Sequence, residues 1–245
     1  MRDVIIIGAT SAVAIEIAKI HAAESDNIIL VGRNARAISD IAEDLKIRGA
    51  SAEVIVQDLA LTDNIEDLID KIFDLAPRPW GIYIAHGTLP DQQKCEASYS
   101  EAQKAIVENS LSQIALLTGI ANRLVELRSG KIGVITSVAG DRGRQSNYVY
   151  GAAKGMLSIF LQGLRNRLAS SEVHVLTVKP GFIDTPMTAA IENKGFLWAT
   201  PQKVATDICR GMKKNRNVIY TPSFWWVIMF IIGATPEFIF KKLTL

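Results

Sequence analysis

Short apolar runs rich in Val and Ile recur along the chain, separated by longer stretches whose apolar residues return at helical spacing. The first run, Asp3 to Gly8, is almost continuously hydrophobic, which suits a parallel strand covered on both faces. Asn27 to Gly32, Glu53 to Gln57, Gly81 to Ala85, Ile132 to Ile135, Val173 to Val178 and Asn217 to Tyr220 are read as further strands. Helical patterns lie between them. One opens after Gly8 and runs through Ile15, Ile17 and Ile20, a long one spans Ser98 to Leu127, one carries Tyr150, and one spans Thr200 to Lys214. This alternation predicts an α/β fold, a doubly wound, seven-stranded parallel sheet forming a single domain over residues 1–221.

The pattern changes in residues 222–245. Phe224 to Gly233 reads Phe-Trp-Trp-Val-Ile-Met-Phe-Ile-Ile-Gly, and Phe238-Ile-Phe-Lys-Lys242 follows Pro236. A membrane-crossing helix needs about 20 apolar residues. Pro222, Gly233 and Pro236 break this extension into pieces too short to cross. Two short apolar helices ending in lysines suit the membrane interface, or burial against the body or a second subunit.

At 245 residues the chain can bury one large core, and no linker or repeat divides it. A formal net charge of +2 offers no footprint for nucleic acid. Cys95 and Cys209 make neither a disulfide framework nor a metal-ligand cluster, and fit a reducing compartment. The N-terminal apolar run, Val4 to Ile7, is too short for a signal peptide. These features predict a cytoplasmic protein without a metal, its tail either packed or resting on the inner face of the cell membrane.

Chemistry concentrates in Val134 to Lys154, which reads as strand, Gly/Arg loop, then helix. Ser137 closes the strand, and Tyr150 and Lys154 stand four apart, on one helical face. A free phenol titrates at about 10, far from neutral pH. An ammonium one turn away favours the phenolate, so the spacing predicts a Tyr150 pKa lowered towards the working range. Tyr148 has no lysine at that offset. Upstream, the small residues of Gly8-Ala-Thr-Ser-Ala-Val-Ala14 form a tight strand-to-helix turn. Its backbone at Gly8, Thr10, Ser11, Ala12 and Val13 suits a pyrophosphate at the positive end of a helix. Arg33 follows the second strand where an acidic residue would bind a ribose 2′-hydroxyl; a basic one accommodates a 2′-phosphate, which favours NADPH over NADH.

Ser137, Tyr150 and Lys154 at this spacing, behind that turn, resemble the short-chain dehydrogenase/reductases over almost the whole chain. The resemblance implies a Rossmann-type fold and NAD(P)H-linked chemistry, with NADPH or NADH as cofactor. Ala12 and Ala14 replace two glycines of the usual Gly-x-x-x-Gly-x-Gly motif, and Ala85-His86-Gly87 departs from the usual Asn-Asn-Ala-Gly. The likeness puts Asp58 and Leu59 at the adenine and His86 against the adenosine side. Asn109 would hold a water linking Lys154 to a proton relay, and Lys154 would bond the nicotinamide ribose beside Tyr150. Pro180, Gly181, Ile183 and Thr185 would meet the nicotinamide end, with Met187 to Trp198 as a substrate lid.

Ser137 to Gly151, together with Phe238 to Leu243, resembles one branch particularly, the decaprenylphosphoryl-2-keto-ribose (erythro-pentosid-2-ulose) reductases. That branch implies a polyprenyl-phosphate-linked ketone as substrate, a flavin oxidase as partner and a homo-oligomer. Arg142, Arg144 and Lys179 are then candidates for the lipid phosphate. Two other readings stay open: a soluble reductase of acyl or small ketone substrates whose tail dimerises, and a dinucleotide-binding sensor without catalysis. The intact Ser137, Tyr150 and Lys154 argue against the sensor, which has no use for a proton donor.

Overall fold

The computed structural model describes residues 1–60, 63–189 and 195–243. The main strands are β1 (Asp3–Ile7), β2 (Asn27–Gly32), β3 (Ser51–Val56), β4 (Gly81–Ile84), β5 (Lys131–Ile135) and β6 (His174–Pro180). After a small parallel pair, β7 (Phe182–Ile183) and β8 (Trp198–Ala199), comes β9 (Val218–Thr221). Seven strands form one sheet in the order β3-β2-β1-β4-β5-β6-β9, every pairing parallel. The helices are α1 (Ala12–Ala22), α2 (Ala35–Ile47), α3 (Ile65–Leu75), α4 (Gln92–Ala97), α5 (Tyr99–Ile106), α6 (Ser112–Leu127), α7 (Tyr148–Leu168), α8 (Pro201–Lys213), α9 (Trp225–Ala234) and α10 (Glu237–Phe240).

Strand periodicity builds the two cores. Val4 and Ile6 point to one face, where they meet Val13 and Ile17 of α1 and Ile208 of α8. Ile5 and Ile7 point to the other, against Ile69 of α3, Leu117 of α6 and Leu161 of α7. Val4, Ile5, Ile6 and Ile7 are all fully buried, which is why the run is continuous rather than alternating. Each such side chain contributes about 1.5–3 kcal/mol through burial. β1 lies between β2 and β4, so the direction of winding reverses there, and a crevice opens beyond the carboxyl ends of the strands.

The long helical stretch expected over Ser98 to Leu127 runs without a gap from Tyr99 to Leu127, α5 passing into α6 through a single π-helical turn, Val107–Leu111, with Asn109 at its centre. Strand ends agree with the sequence reading or differ by one or two residues: β2 matches at both ends, and β6 runs on to Pro180.

The tail forms the two expected helical pieces, and α9 packs on the body through one stripe. Trp225 and Met229 are buried on Val138, with Ile228, Ile232 and Leu197 beside them. Arg142 closes the end of α9, its Nη1 donating to the carbonyls of Ile232 and Thr235 at 2.6 Å each, its guanidinium 3.7 Å from the Phe240 ring centroid. The opposite stripe, Trp226, Val227, Phe230 and Ile231, is exposed. Among the described residues no helix is long and apolar enough to cross a membrane.

Candidate active site

A cleft of about 470 Å³ runs along the carboxyl ends of the central strands. Every residue predicted for catalysis or cofactor binding lines it: Gly8, Thr10, Ser11, Ala12, Val13, Arg33, Asp58, Leu59, Ala85, His86, Gly87, Asn109, Ser137, Tyr150, Lys154, Pro180, Gly181, Ile183 and Thr185. Residues 190–194, part of the expected lid, lie outside the described residues. The base of that segment is defined by the pairing of Phe182 with Trp198 and Ile183 with Ala199.

At one end of the cleft stands the amino terminus of α1. Gly8 adopts φ +83°, and a Cβ there would lie 2.5 Å from the His86 amide nitrogen, so only glycine lets β1 turn so close to β4. Ala12 and Ala14 sit inside α1 and are not among the left-handed residues, so alanine serves where the family motif has glycine. Ser11 makes no side-chain cap and the first turn carries no acid. The unfilled helix-start amides and the dipole therefore face the cleft, and fit a pyrophosphate. Arg33 is exposed at the end of β2 and makes no ion pair among the described residues. Asn34 accepts from the Ala37 amide to cap α2, and Asp58 accepts from the Ala60 amide at 3.1 Å.

At the other end the polar side chains converge. Ser137 follows β5 and caps a short 3-10 turn, its Oγ accepting from the Ala139 amide at 3.1 Å. Lys154 is buried, its Nζ 5.9 Å from the Tyr150 ring centroid and donating to the Ile135 carbonyl at 3.3 Å. Tyr148 is exposed and lies outside the cleft lining. Gly87 has φ +154°, and a Cβ there would crowd Asn109 Oδ1 at 2.8 Å and Lys154 Nζ at 3.4 Å, so the glycine leaves room for both. Asn109 is fixed by its Oδ1 accepting from the Thr88 amide and its Nδ2 donating to the Ala105 carbonyl, each at 3.0 Å. A π turn widens the helix at that point, a device common at functional sites.

The electrostatics correct the expectation for Tyr150. Burial pushes its pKa up to about 12, and the hydrogen-bonding influence of Ser137 only partly opposes this. Burial also pulls Lys154 down to about 8. Desolvation of both groups outweighs the attraction expected from their one-turn spacing, so Tyr150 is a protonated phenol at neutral pH. His86 is held to about 3 by burial and then by the Lys154 charge, so it is neutral. Its Nε2 lies 3.1 Å from Ser112 Oγ.

The structure also separates the three candidate phosphate donors. Arg142 is taken up by α9, and Lys179 by an ion pair with Asp141, which also accepts from Tyr220 Oη. Neither lines the cleft; Arg144 does. Asn147 and the Thr88–Glu108 hydrogen bond also face the cleft and carried no signal in the sequence, since each depends on contacts between distant segments.

The short-chain dehydrogenase family model matches residues 2–195, and the chain belongs to that family. It is an NAD(P)-dependent oxidoreductase. An uncharacterized oxidoreductase of Mycobacterium tuberculosis is 30% identical over 247 residues, covering 98% of this chain and 96% of that protein. A ketoacyl reductase of Nostoc is 26% identical, covering 89% of this chain and 77% of its own. The fold matches a short-chain dehydrogenase from Sphingobium yanoikuyae, solved in complex with NADPH, with a TM-score of 0.83 at 20% identity over 97% of each chain.

Proposed function

We propose that this protein is an NADPH-dependent reductase converting a ketone to a secondary alcohol. The observation that carries the reading is the convergence of Tyr150 and Ser137 on one cleft, with Lys154 Nζ 5.9 Å from the Tyr150 ring centroid. When bound, the dinucleotide supplies the hydride. Ser137 Oγ orients and polarises the carbonyl oxygen, and the Tyr150 hydroxyl gives that oxygen its proton. Lys154 stabilises the phenolate left behind, and Asn109, locked by Thr88 and Ala105, orders the path by which the proton is replaced. The amides of the α1 start would hold the pyrophosphate, and the exposed Arg33, which makes no ion pair among the described residues, supports a 2′-phosphate. Tyr150→Phe is expected to lower kcat by about 10²- to 10⁴-fold with NADPH binding, read by fluorescence titration, retained. Turnover near that of the wild type removes Tyr150 from the role.

For the substrate we favour a polyprenyl-phosphate-linked 2-keto-pentose, met at the inner face of the cell membrane. Support comes from α9 and α10, whose outer side chains Trp226, Phe230, Ile231, Phe238 and Ile239 are exposed beside Lys241 and Lys242. Such an apolar face rimmed by cations suits an anionic bilayer surface. A reductase of acyl or small ketones is the second reading, favoured by the likeness to the Nostoc ketoacyl reductase. Sedimentation of the full chain with anionic vesicles separates the two: Trp226→Ser with Phe230→Ser should abolish binding without lowering Tm. A wild-type chain that ignores vesicles and self-associates through this face supports the second.

A further inference from the structure

Three shielded side-chain atoms of cleft-lining residues lack a hydrogen-bond partner among the described residues, His86 Nδ1, Arg144 Nε and Asn147 Oδ1, and the last two belong to the stretch between Ser137 and Tyr150. Arg144 stands in the loop between β5 and α7, and its Nε is shielded from solvent without a hydrogen-bond partner among the described residues. Asn147 begins α7, where an asparagine would ordinarily accept from a first-turn amide. It does not, because the Val149 amide donates instead to Gln92 Oε1 at 3.2 Å. Asn147 Oδ1 is left shielded and unpartnered among the described residues, on the cleft wall. The two residues are tied together by the Asn147 amide donating to the Arg144 carbonyl at 3.1 Å.

Shielded polar atoms without partners are costly unless a ligand completes them. The dinucleotide is an unsuitable candidate, since its phosphates are provided for at Gly8 to Val13 and at Arg33. Arg144 and Asn147 instead lie in the chain between Ser137 and Tyr150, where the reacting carbonyl would sit. We propose that they read the substrate: Arg144 takes an anionic group, phosphate ester or carboxylate, and Asn147 Oδ1 accepts from a hydroxyl near the carbonyl. The inference rests on the ketone-reductase reading and narrows its substrate to a hydroxylated, anionic ketone. Burial lowers the Arg144 pKa, yet a guanidinium starts so far above neutrality that it stays charged.

The test uses the full chain with NADPH and two matched pairs of ketones, ribulose 5-phosphate against ribulose and acetoacetate against ethyl acetoacetate. The wild type should favour one anionic member by about 10- to 100-fold in kcat/KM, the size of one charge-assisted contact. The pair that shows the preference distinguishes phosphate from carboxylate. Arg144→Gln should bring that ratio close to 1 and Arg144→Lys should restore part of it, while Asn147→Leu should penalise ribulose relative to ethyl acetoacetate. A ratio equal in wild type and Arg144→Gln overturns the inference while leaving the reductase reading intact. Titration of inorganic phosphate into NADPH-loaded enzyme gives a readout independent of turnover. Arg144-dependent phosphate binding with none of the four ketones reduced would support the anion site and count against the small-ketone reading alone; no ketone reduced and no phosphate bound overturns the inference, while the reductase reading stands or falls on Tyr150→Phe.

Discussion

Trp225 occupies the space that a side chain at Gly181 would need. A Cβ on Gly181 would overlap the indole, whose Nε1 donates to the Leu197 carbonyl at 3.3 Å. The same indole meets Phe182 edge-on at 5.3 Å, and Phe182 stacks on Trp198. One tail residue therefore holds together the two strands, β7 and β8, that flank the segment expected to serve as a lid.

Gly181→Ala should accordingly push α9 away from the body. The expected cost is about 1–3 kcal/mol, as for other overpacked sites. It is checked as a fall in Tm together with increased tryptophan exposure to quencher. Unchanged Tm and unchanged quenching would show that the contact is not needed.

The pH dependence follows from Lys154 near 8 and Tyr150 near 12. Reduction needs the ammonium and the phenol, so kcat/KM should fall as pH rises through about 8. Stability should change in the opposite direction. The folded chain gives up the Lys154 proton near 8, while the unfolded chain keeps it to about 10.4. More protons are then bound by the unfolded state across that window, so this group's contribution to stability rises with pH. A pH–rate profile and Tm in matched buffers test both. A basic limb centred near pH 10 would exclude the lowered Lys154 value.

Arg33→Asp should exchange cofactor preference. With the cation gone and a carboxylate at the end of β2, the KM for NADPH should rise by about 10- to 100-fold while that for NADH stays or falls. Initial rates with each cofactor decide it; equal losses for both would assign Arg33 a structural role.

Features set by local rules were legible in the sequence. The unbroken hydrophobicity of Val4 to Ile7 announced a strand covered on both sides, and the four-residue step from Tyr150 to Lys154 announced a shared face. What escaped depends on distance. The π turn at Asn109 is bound up with contacts to Thr88 and the Gly87 loop, twenty-one and twenty-two residues earlier. The Tyr150 pKa depends on how deeply the fold desolvates it, which spacing alone does not report. Arg142 looked like a free cation because the carbonyls it binds lie some ninety residues away, at Ile232 and Thr235.

Val138, the residue after Ser137, is where Trp225 and Met229 rest. A chain cut back to residue 221 would therefore lose more than an anchor: the nucleus of its reaction chamber would be stripped on the side next to the serine. Loss of activity in such a truncation would say nothing about lipids, and only changes confined to the outward stripe of α9 can separate attachment from architecture.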